Sequence, residues 1–189
     1  MNPAAAVTSP RILVIDDNRD IHEDFRKIFE SDASVESLDV AEARLFGAPE
    51  SAPRKKFQID SAYQGREGLA LVQKALAAGT PYALAFVDVR MPPGWDGIET
   101  IVHLWETYPD LQVVICTAYS DYSWDEMHQK LGDSDRLVIL KKPFDTVEVL
   151  QLAGTLTEKW RLLQQTRQHT QELEETIAKR TEQLRKSEE

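Results

Sequence analysis

The sequence predicts an α/β protein with one doubly wound, five-stranded parallel sheet, covered by helices on both faces and followed by a long C-terminal helix. Two observations predict it. Short apolar runs of strand length alternate along the chain with longer stretches whose apolar residues recur at helical spacing. Each short run is followed by polar or charged residues, as expected where parallel strands carry functional side chains to one edge of a sheet. Since parallel strands need a crossover connection, the intervening helices must pack on the two faces.

Five strands are predicted from short runs of mainly apolar residues. They are Arg11–Ile15, 57–61, 83–87, 112–116 and 136–140. Helices are predicted where apolar residues share one helical face. They cover 18–30, 64–78, 98–107, 123–131 and the chain from Asp145 onward. Ser123 with Glu126, and Asp145 with Glu148, have the spacing of capping boxes at the starts of the last two helices.

The chain is expected to divide into three parts. An N-terminal tail, 1–10, precedes a folded domain over 11–155, in which the mixed polar stretch 31–56 is an insertion. The helix over 156–189 leaves that domain. Because its pattern continues to the last residue without a helix stop signal, we expect the helix to be truncated there.

The composition argues against several classes of function. With 22 basic and 32 acidic side chains, the chain has a formal net charge of −10, which repels phosphate backbones and disfavours direct nucleic acid binding. Cys116 is the only cysteine, so no internal disulfide can form, as fits a reducing cytoplasm. No apolar run approaches the roughly 20 residues that cross a bilayer, so no membrane insertion is expected.

Reactive side chains stand at four of the predicted strand ends: Asp16 and Asp17, then Asp88, Thr117 and Lys142. Crowded carboxylates repel one another unless a cation neutralises them, and hard oxygen ligands suit Mg²⁺ or Mn²⁺. With that cation, one carboxylate can attack phosphorus while the hydroxyl and the ammonium bind the phosphoryl oxygens. Asp88 stands alone on the central strand and is the expected nucleophile, whereas the adjacent pair is better suited to the metal.

Four short segments surround these residues: VIDDN at 14–18, VDVRMP at 87–92, ICTA at 115–118 and KKPF at 141–144. They resemble the core motifs of the receiver domain of bacterial response regulators in two-component systems. The resemblance covers 11–155 and implies a flavodoxin-like strand order, 2-1-3-4-5. It also implies a signalling switch that is not an enzyme, apart from Mg²⁺-dependent phosphorylation and dephosphorylation of its own aspartate.

The resemblance implies a role for each site residue. Asp88 would take a phosphoryl group from a histidine kinase or a phosphotransfer protein, and Thr117 and Lys142 would contact the acyl phosphate. Pro143 would follow a cis peptide bond, as is usual in the family. The implied metal ligands are Asp17, Asp88 and the backbone carbonyl of Arg90, with Asp16 acting through water.

The resemblance also implies a switch. In the family, the threonine moves toward the phosphoryl group and an aromatic residue on the last strand follows it inward. Here Thr117 is present, but the aromatic position corresponds to Ile139. Tyr119, just beyond Thr117, is an alternative residue for coupling the site to the following helix.

The C-terminal helix carries a heptad pattern. Its expected dimer seam is Leu156, Leu163, Thr170, Leu173, Ile177 and Leu184. Some 44 helical residues would extend about 65 Å, farther than the domain surface reaches, so we expect a parallel homodimer. The alternative is a single amphipathic helix packed on its own domain. In the family that the core motifs resemble, such helices often lead into an output domain, so the resemblance implies one beyond this helix.

Two other functions compete with the phosphorylated switch. A hydrolase with an aspartyl nucleophile would want a second acid two residues after Asp88, where this chain has Arg90. A phosphate-independent scaffold would need only the coiled coil. The complete set of strand-end residues favours the switch.

Overall fold

The sheet is fully parallel and contains five strands in the order β2-β1-β3-β4-β5. The structure is a computed structural model that describes residues 9–30, 56–118, 129–132 and 134–187. The strands are β1 (Arg11–Ile15), β2 (Gln58–Ala62), β3 (Leu84–Asp88), β4 (Gln112–Thr117) and β5 (Leu137–Lys141). The predicted fold class and the 2-1-3-4-5 order are confirmed.

The helices follow the strands as predicted. They are α1 (19–30), α2 (Gly65–Ala77), α3 (Gly97–Thr107) and the C-terminal helix (Thr146–Ser187), and residues 129–131 are also helical. The rest of the predicted helix over 123–131, and the expected insertion apart from Lys56, lie outside the described residues. Among the described residues, no helix is both long and apolar enough to cross a membrane.

Alternating side chains of the sheet build two separate cores. On one face, Ile12 and Val14 of β1 pack with Phe25 of α1 and Val149 of the C-terminal helix. On the other, β1 contributes Leu13 and Ile15 to a core shared with α2 and α3. Because both faces of each central strand are buried, β1, β3 and β4 are nearly continuous in apolar residues.

Four strands end one residue later than the sequence predicts. Asp88 pairs with Cys116 and Thr117 pairs with Lys141, so these polar residues still belong to the ladder. Strand pairing uses the backbone, and a polar side chain at the edge does not end it. The extra residue brings Asp88 and Thr117 to the rim of the sheet while their main chain stays fixed.

Side-chain caps define two helix starts. Glu148 accepts from the Asp145 amide at 3.4 Å, as in the predicted capping box, whereas the Asp145 carboxylate accepts from the Val147 amide at 2.7 Å, one residue earlier than the box requires. At α3, Asp96 accepts from the Glu99 amide at 2.7 Å, a cap that the sequence analysis missed.

The C-terminal helix is continuous across the boundary expected at 155/156, and its first part belongs to the domain. Leu156 was expected in a dimer seam but lies in the core beside α1 and is 5% exposed. Farther along, Trp160 donates to the Tyr108 hydroxyl at 2.8 Å, and Arg167 pairs with Asp110 at 2.5 Å. Beyond Arg167 every residue of known burial is exposed, so the helix leaves its domain there.

Candidate functional site at the carboxyl edge of the sheet

The predicted site residues meet at the carboxyl edge of neighbouring strands. Asp16 and Asp17 directly follow β1, Asp88 ends β3 and Thr117 ends β4. Lys142 follows β5, and its amide donates to the Thr117 carbonyl at 2.8 Å, which extends the ladder into the loop. The strand order therefore brings together side chains that are up to 126 positions apart in the sequence.

Lys142 lies between two carboxylates. Its Nζ is 2.7 Å from Asp16 Oδ2 and 2.7 Å from Asp88 Oδ1. The second oxygen of each carboxylate accepts a backbone amide: Asn18 at 2.9 Å for Asp16, and Arg90 at 3.0 Å for Asp88. Both acids are thus held in one orientation by a charge and a main-chain donor.

Burial and charge act in opposite directions at this pair. Burial favours the neutral amine of Lys142, but the hydrogen bonds and charges of Asp16 and Asp88 outweigh it and raise the lysine pKa above its ordinary value. The pKa of Asp88 is also raised, mainly by burial and further by the Asp16 charge, although Lys142 opposes the shift. A single ammonium shared by two carboxylates neutralises the charge of each only in part, so the site favours the binding of a further cation.

The acidic cluster has the composition of a hard-cation site. One carboxylate oxygen from each of Asp16, Asp17 and Asp88 can be chosen so that all three lie within 4.8 Å of one another. Asp16 is buried, whereas Asp17 is exposed and, within the described part of the chain, makes no side-chain hydrogen bond or ion pair. Three carboxylates with access to water match the ligands that Mg²⁺ and Mn²⁺ prefer.

The remaining site residues have separate environments. The Thr117 hydroxyl, 7% exposed, donates to the Ala118 carbonyl at 2.9 Å. Ile139 lies on β5, packed against the core shared with α2 and α3. The Lys142–Pro143 peptide bond is cis, as is Pro92–Pro93. Tyr119 lies outside the described residues.

The backbone beside Asp88 is held by a glycine. The Gly97 amide donates to the Val89 carbonyl at 2.8 Å, which brings the start of α3 against the end of β3. A Cβ on Gly97 would lie 2.2 Å from the Asp88 carbonyl oxygen. This approach is possible only without a side chain.

Most of the expected seam residues lie on the exposed part of the C-terminal helix. Leu163 is 36% exposed, Leu173 50% and Ile177 64%. Thr170 is exposed as well, and the side chain of Leu184 lies outside the described residues.

The sequence analysis missed the residue that supports this site from the side of α1. The four histidines of the chain lack metal-ligand spacing, so the sequence indicates no chemistry for them. His22 is 2% exposed, and its Nε2 lies 2.7 Å from the backbone carbonyl oxygen of Asp16. His22 follows Asp16 by six residues in the sequence, but the hydrogen bond between them depends on how α1 packs against the end of β1.

Comparison with protein families identifies a match over more than half of the chain. The model of the response regulator receiver domain matches residues 47–153. The match begins after β1 and α1. In the structure, β1 lies between β2 and β3, so Asp16 and Asp17 reach the same edge as Asp88.

Curated relatives include two regulators. The chain is 31% identical over 119 residues to the photosynthetic apparatus regulatory protein RegA of Cereibacter sphaeroides, covering 63% of this chain and 60% of RegA. It is 36% identical over 101 residues to the DNA-binding transcriptional regulator NtrC of Escherichia coli K12, covering 53% of this chain and 20% of NtrC. The aligned part of each regulator is therefore less than two thirds of its length.

Solved structures with the same fold include receiver domains. The signal receiver domain of an HD domain-containing protein from Pseudomonas fluorescens Pf-5 gives a TM-score of 0.61 at 17% identity, covering 87% of this chain and 98% of that chain. The adenylate cyclase structure from Rhodopirellula baltica gives 0.57 at 18% identity, covering 86% and 98%. At these identities the likeness concerns the fold.

Proposed function

Because the chain belongs to the response regulator receiver domain family, we propose that it accepts a phosphoryl group on Asp88 from a histidine kinase or a phosphotransfer protein. The observation that carries this proposal is the arrangement of Asp88 beside Asp16, Asp17 and Lys142. Membership of the family supports the class of reaction, and the geometry supports the choice of Asp88.

Asp88 is suited to be the nucleophile. Its side chain is 13% exposed, so an oxygen can be approached from solvent, whereas the Asp16 side chain is only 4% exposed. A carboxylate oxygen of Asp88 forms the bond to phosphorus as the P–N bond of phosphohistidine breaks, and the bonding electron pair leaves with the imidazole nitrogen. The Arg90 amide, 3.0 Å from Asp88 Oδ2, keeps the carboxylate oriented.

The neighbours of Asp88 would stabilise the charge that develops. The Lys142 ammonium already contacts an Asp88 oxygen and can contact the phosphoryl group attached there. Thr117 can turn its hydroxyl from the Ala118 carbonyl toward that group. Asp17 and Asp88, with Asp16 through water, would hold Mg²⁺, which when bound neutralises the carboxylates and the phosphoryl oxygens.

Phosphorylation with a small donor tests the assignment. The chain is incubated with Mg²⁺ and acetyl phosphate, and its intact mass is measured, with beryllofluoride binding as a second readout. We expect one phosphoryl adduct on the wild type and none on Asp88→Asn.

A second acid-to-amide change provides the control. Asp24→Asn, in an exposed ion pair on α1, should leave the adduct unchanged. An adduct that persists in Asp88→Asn, or its absence from the wild type with Mg²⁺ present, would refute the proposal.

We further propose that the signal passes through a parallel, dimeric coiled coil to an output domain. The supporting observation is that Leu173 and Ile177, which lie beyond the domain, are exposed apolar residues at neighbouring core positions of the heptad pattern. Helices in proteins gain most of their stability from packing an apolar face, and pairing would supply that packing to the exposed part of this helix. The phosphorylated receivers would alter the rotation or register of the paired helices.

A further inference from the structure

His22 holds the main chain from which the metal-binding acids project. Its imidazole is 2% exposed, and Nε2 is 2.7 Å from the Asp16 carbonyl oxygen. A carbonyl oxygen can only accept, so Nε2 carries the proton. Within the described residues, Nδ1 is buried without a hydrogen-bond partner, so the ring makes this one bond.

Packing keeps the His22 imidazole from turning toward another hydrogen-bond partner. Tyr63, from the loop after β2, packs on it with ring centroids 4.6 Å apart, and the Arg19 guanidinium covers the Tyr63 ring. The imidazole is enclosed between α1 and this loop, and its orientation is set by packing.

The bond completes a full set of contacts around Asp16. The Asp16 amide donates to the Ala62 carbonyl at 3.1 Å, and the two carboxylate oxygens accept from Asn18 and Lys142. His22 satisfies the remaining group, the carbonyl that begins the peptide unit leading to Asp17. Without that donor, a buried carbonyl would be unpaired, and the peptide would rotate to find a partner.

Asp17 is the acid that would move. Its carboxylate has no side-chain hydrogen bond or ion pair in the described part of the chain, so its position depends on its backbone. This inference rests on the proposed function, in which Asp88 accepts a phosphoryl group beside a divalent cation. We propose that His22 is a positioning residue for that cation. Its hydrogen bond orients the Asp16–Asp17 peptide so that the Asp17 carboxylate faces Asp16 and Asp88. His22 acts through the main chain and touches neither the cation nor the phosphoryl group.

Two nearly isosteric substitutions separate the hydrogen bond from packing. His22→Gln keeps an N–H at similar reach, whereas His22→Met fills the same space without a donor. Mg²⁺ affinity is measured by calorimetry without a phosphodonor, and circular dichroism reports the fold. We expect His22→Gln to bind Mg²⁺ within about 3-fold of the wild type and His22→Met to bind on the order of 10-fold more weakly, the usual effect of losing an outer support of a metal ligand.

The outcomes distinguish this inference from the proposed function. His169→Met, at an exposed histidine of the C-terminal helix, controls for the substitution and should bind Mg²⁺ like the wild type. Wild-type affinity in folded His22→Met, or a loss in His22→Gln as large as in His22→Met, would overturn the positioning role. A wild type that binds no Mg²⁺ would refute the proposed function as well.

A measurement on the wild type applies even if His22→Met does not fold. The nitrogen resonances of the His22 ring should show the Nε2–H tautomer, with its proton protected from exchange, and should shift when Mg²⁺ is added. An Nδ1–H tautomer would overturn the inference, because Nε2 could not then donate to Asp16.

Discussion

Gly97 shows how one missing side chain positions Asp88, the proposed phosphoryl acceptor. We expect Gly97→Ala to destabilise the protein by about 2–3 kcal/mol, because the added methyl would lie 2.2 Å from the Asp88 carbonyl oxygen and the backbone would have to shift. Phosphorylation should slow as well, since that shift moves Asp88. Urea unfolding and the rate of adduct formation measure the two effects.

Gly154 provides the matched control. It lies inside the C-terminal helix, and nothing lies within 4 Å of the position of an added Cβ. Gly154→Ala should therefore stabilise the protein by about 0.5–1 kcal/mol through helix propensity. Equal effects of the two substitutions would contradict the steric argument.

Lys142 acts as an internal counterion for two acids. We expect Lys142→Met to lose about 2–3 kcal/mol of unfolding free energy without Mg²⁺, because Asp16 and Asp88 then face each other without a neutralising charge. Mg²⁺ should stabilise this variant more than it stabilises the wild type, since the cation supplies the missing charge. Thermal unfolding at several Mg²⁺ concentrations measures the difference.

Lys141→Met tests whether the position of the removed lysine charge matters. Lys141 is the adjacent exposed lysine at the end of β5. Its removal should leave the Mg²⁺-dependent stabilisation at the wild-type value. The same Mg²⁺ response in both variants would show a general charge effect and not a counterion at the site.

At the scale of an element, polar contacts attach the C-terminal helix to the edge of the sheet opposite the proposed phosphorylation site. Asp110, just before β4, accepts from Gln164 at 3.0 Å and from Arg167 at 2.5 Å, and its side chain is 9% exposed. We expect Arg167→Met to cost about 1–3 kcal/mol, because it leaves a buried carboxylate without its charged partner. Amide hydrogen exchange should increase over 160–167.

Arg161 is a control on the same helix. It pairs with Glu158 one turn away, and both side chains are partly exposed. Such pairs contribute little, so Arg161→Met should leave the stability close to that of the wild type. An equally large loss from Arg161→Met would mean that Asp110 does not determine the attachment.

The sequence predicts local and repeating features and misses contacts that the chain makes only after folding. The strands, the residues at strand ends and a cap at Asp145 follow from periodicity and short motifs, whereas the strand order follows from the resemblance that those motifs carry. Arg167 and Asp110 are 57 residues apart, and no local pattern indicates their pairing. Leu156 was misplaced because core burial and a dimer seam both require an apolar residue every three or four positions.

At the scale of the whole molecule, the point at which the helix leaves the domain determines where two copies can pair. Leu156 is buried within its own domain, so the seam can begin only beyond it, and among the described residues the last contact of the helix with its domain is at Arg167. Leu173 and Ile177 are then the first strongly apolar, exposed heptad positions after that contact. Pairing along this stretch would bury them and leave the attached part of the helix unchanged.

Disulfide cross-linking tests the pairing and its coupling to the site. Leu173→Cys should form a covalent dimer under mild oxidation, because core positions of a parallel coiled coil face their own copies. Glu175→Cys, on the outer face, should cross-link far more slowly, and the native Cys116 adds no background because it is 2% exposed.

If phosphorylation rotates the paired helices, Mg²⁺ with beryllofluoride should change the rate at which Leu173→Cys cross-links, and Asp88→Asn should abolish that change. Equal rates at positions 173 and 175 would refute the coiled coil, whereas a rate unaffected by beryllofluoride would leave the dimer intact and refute its role in transmitting the signal.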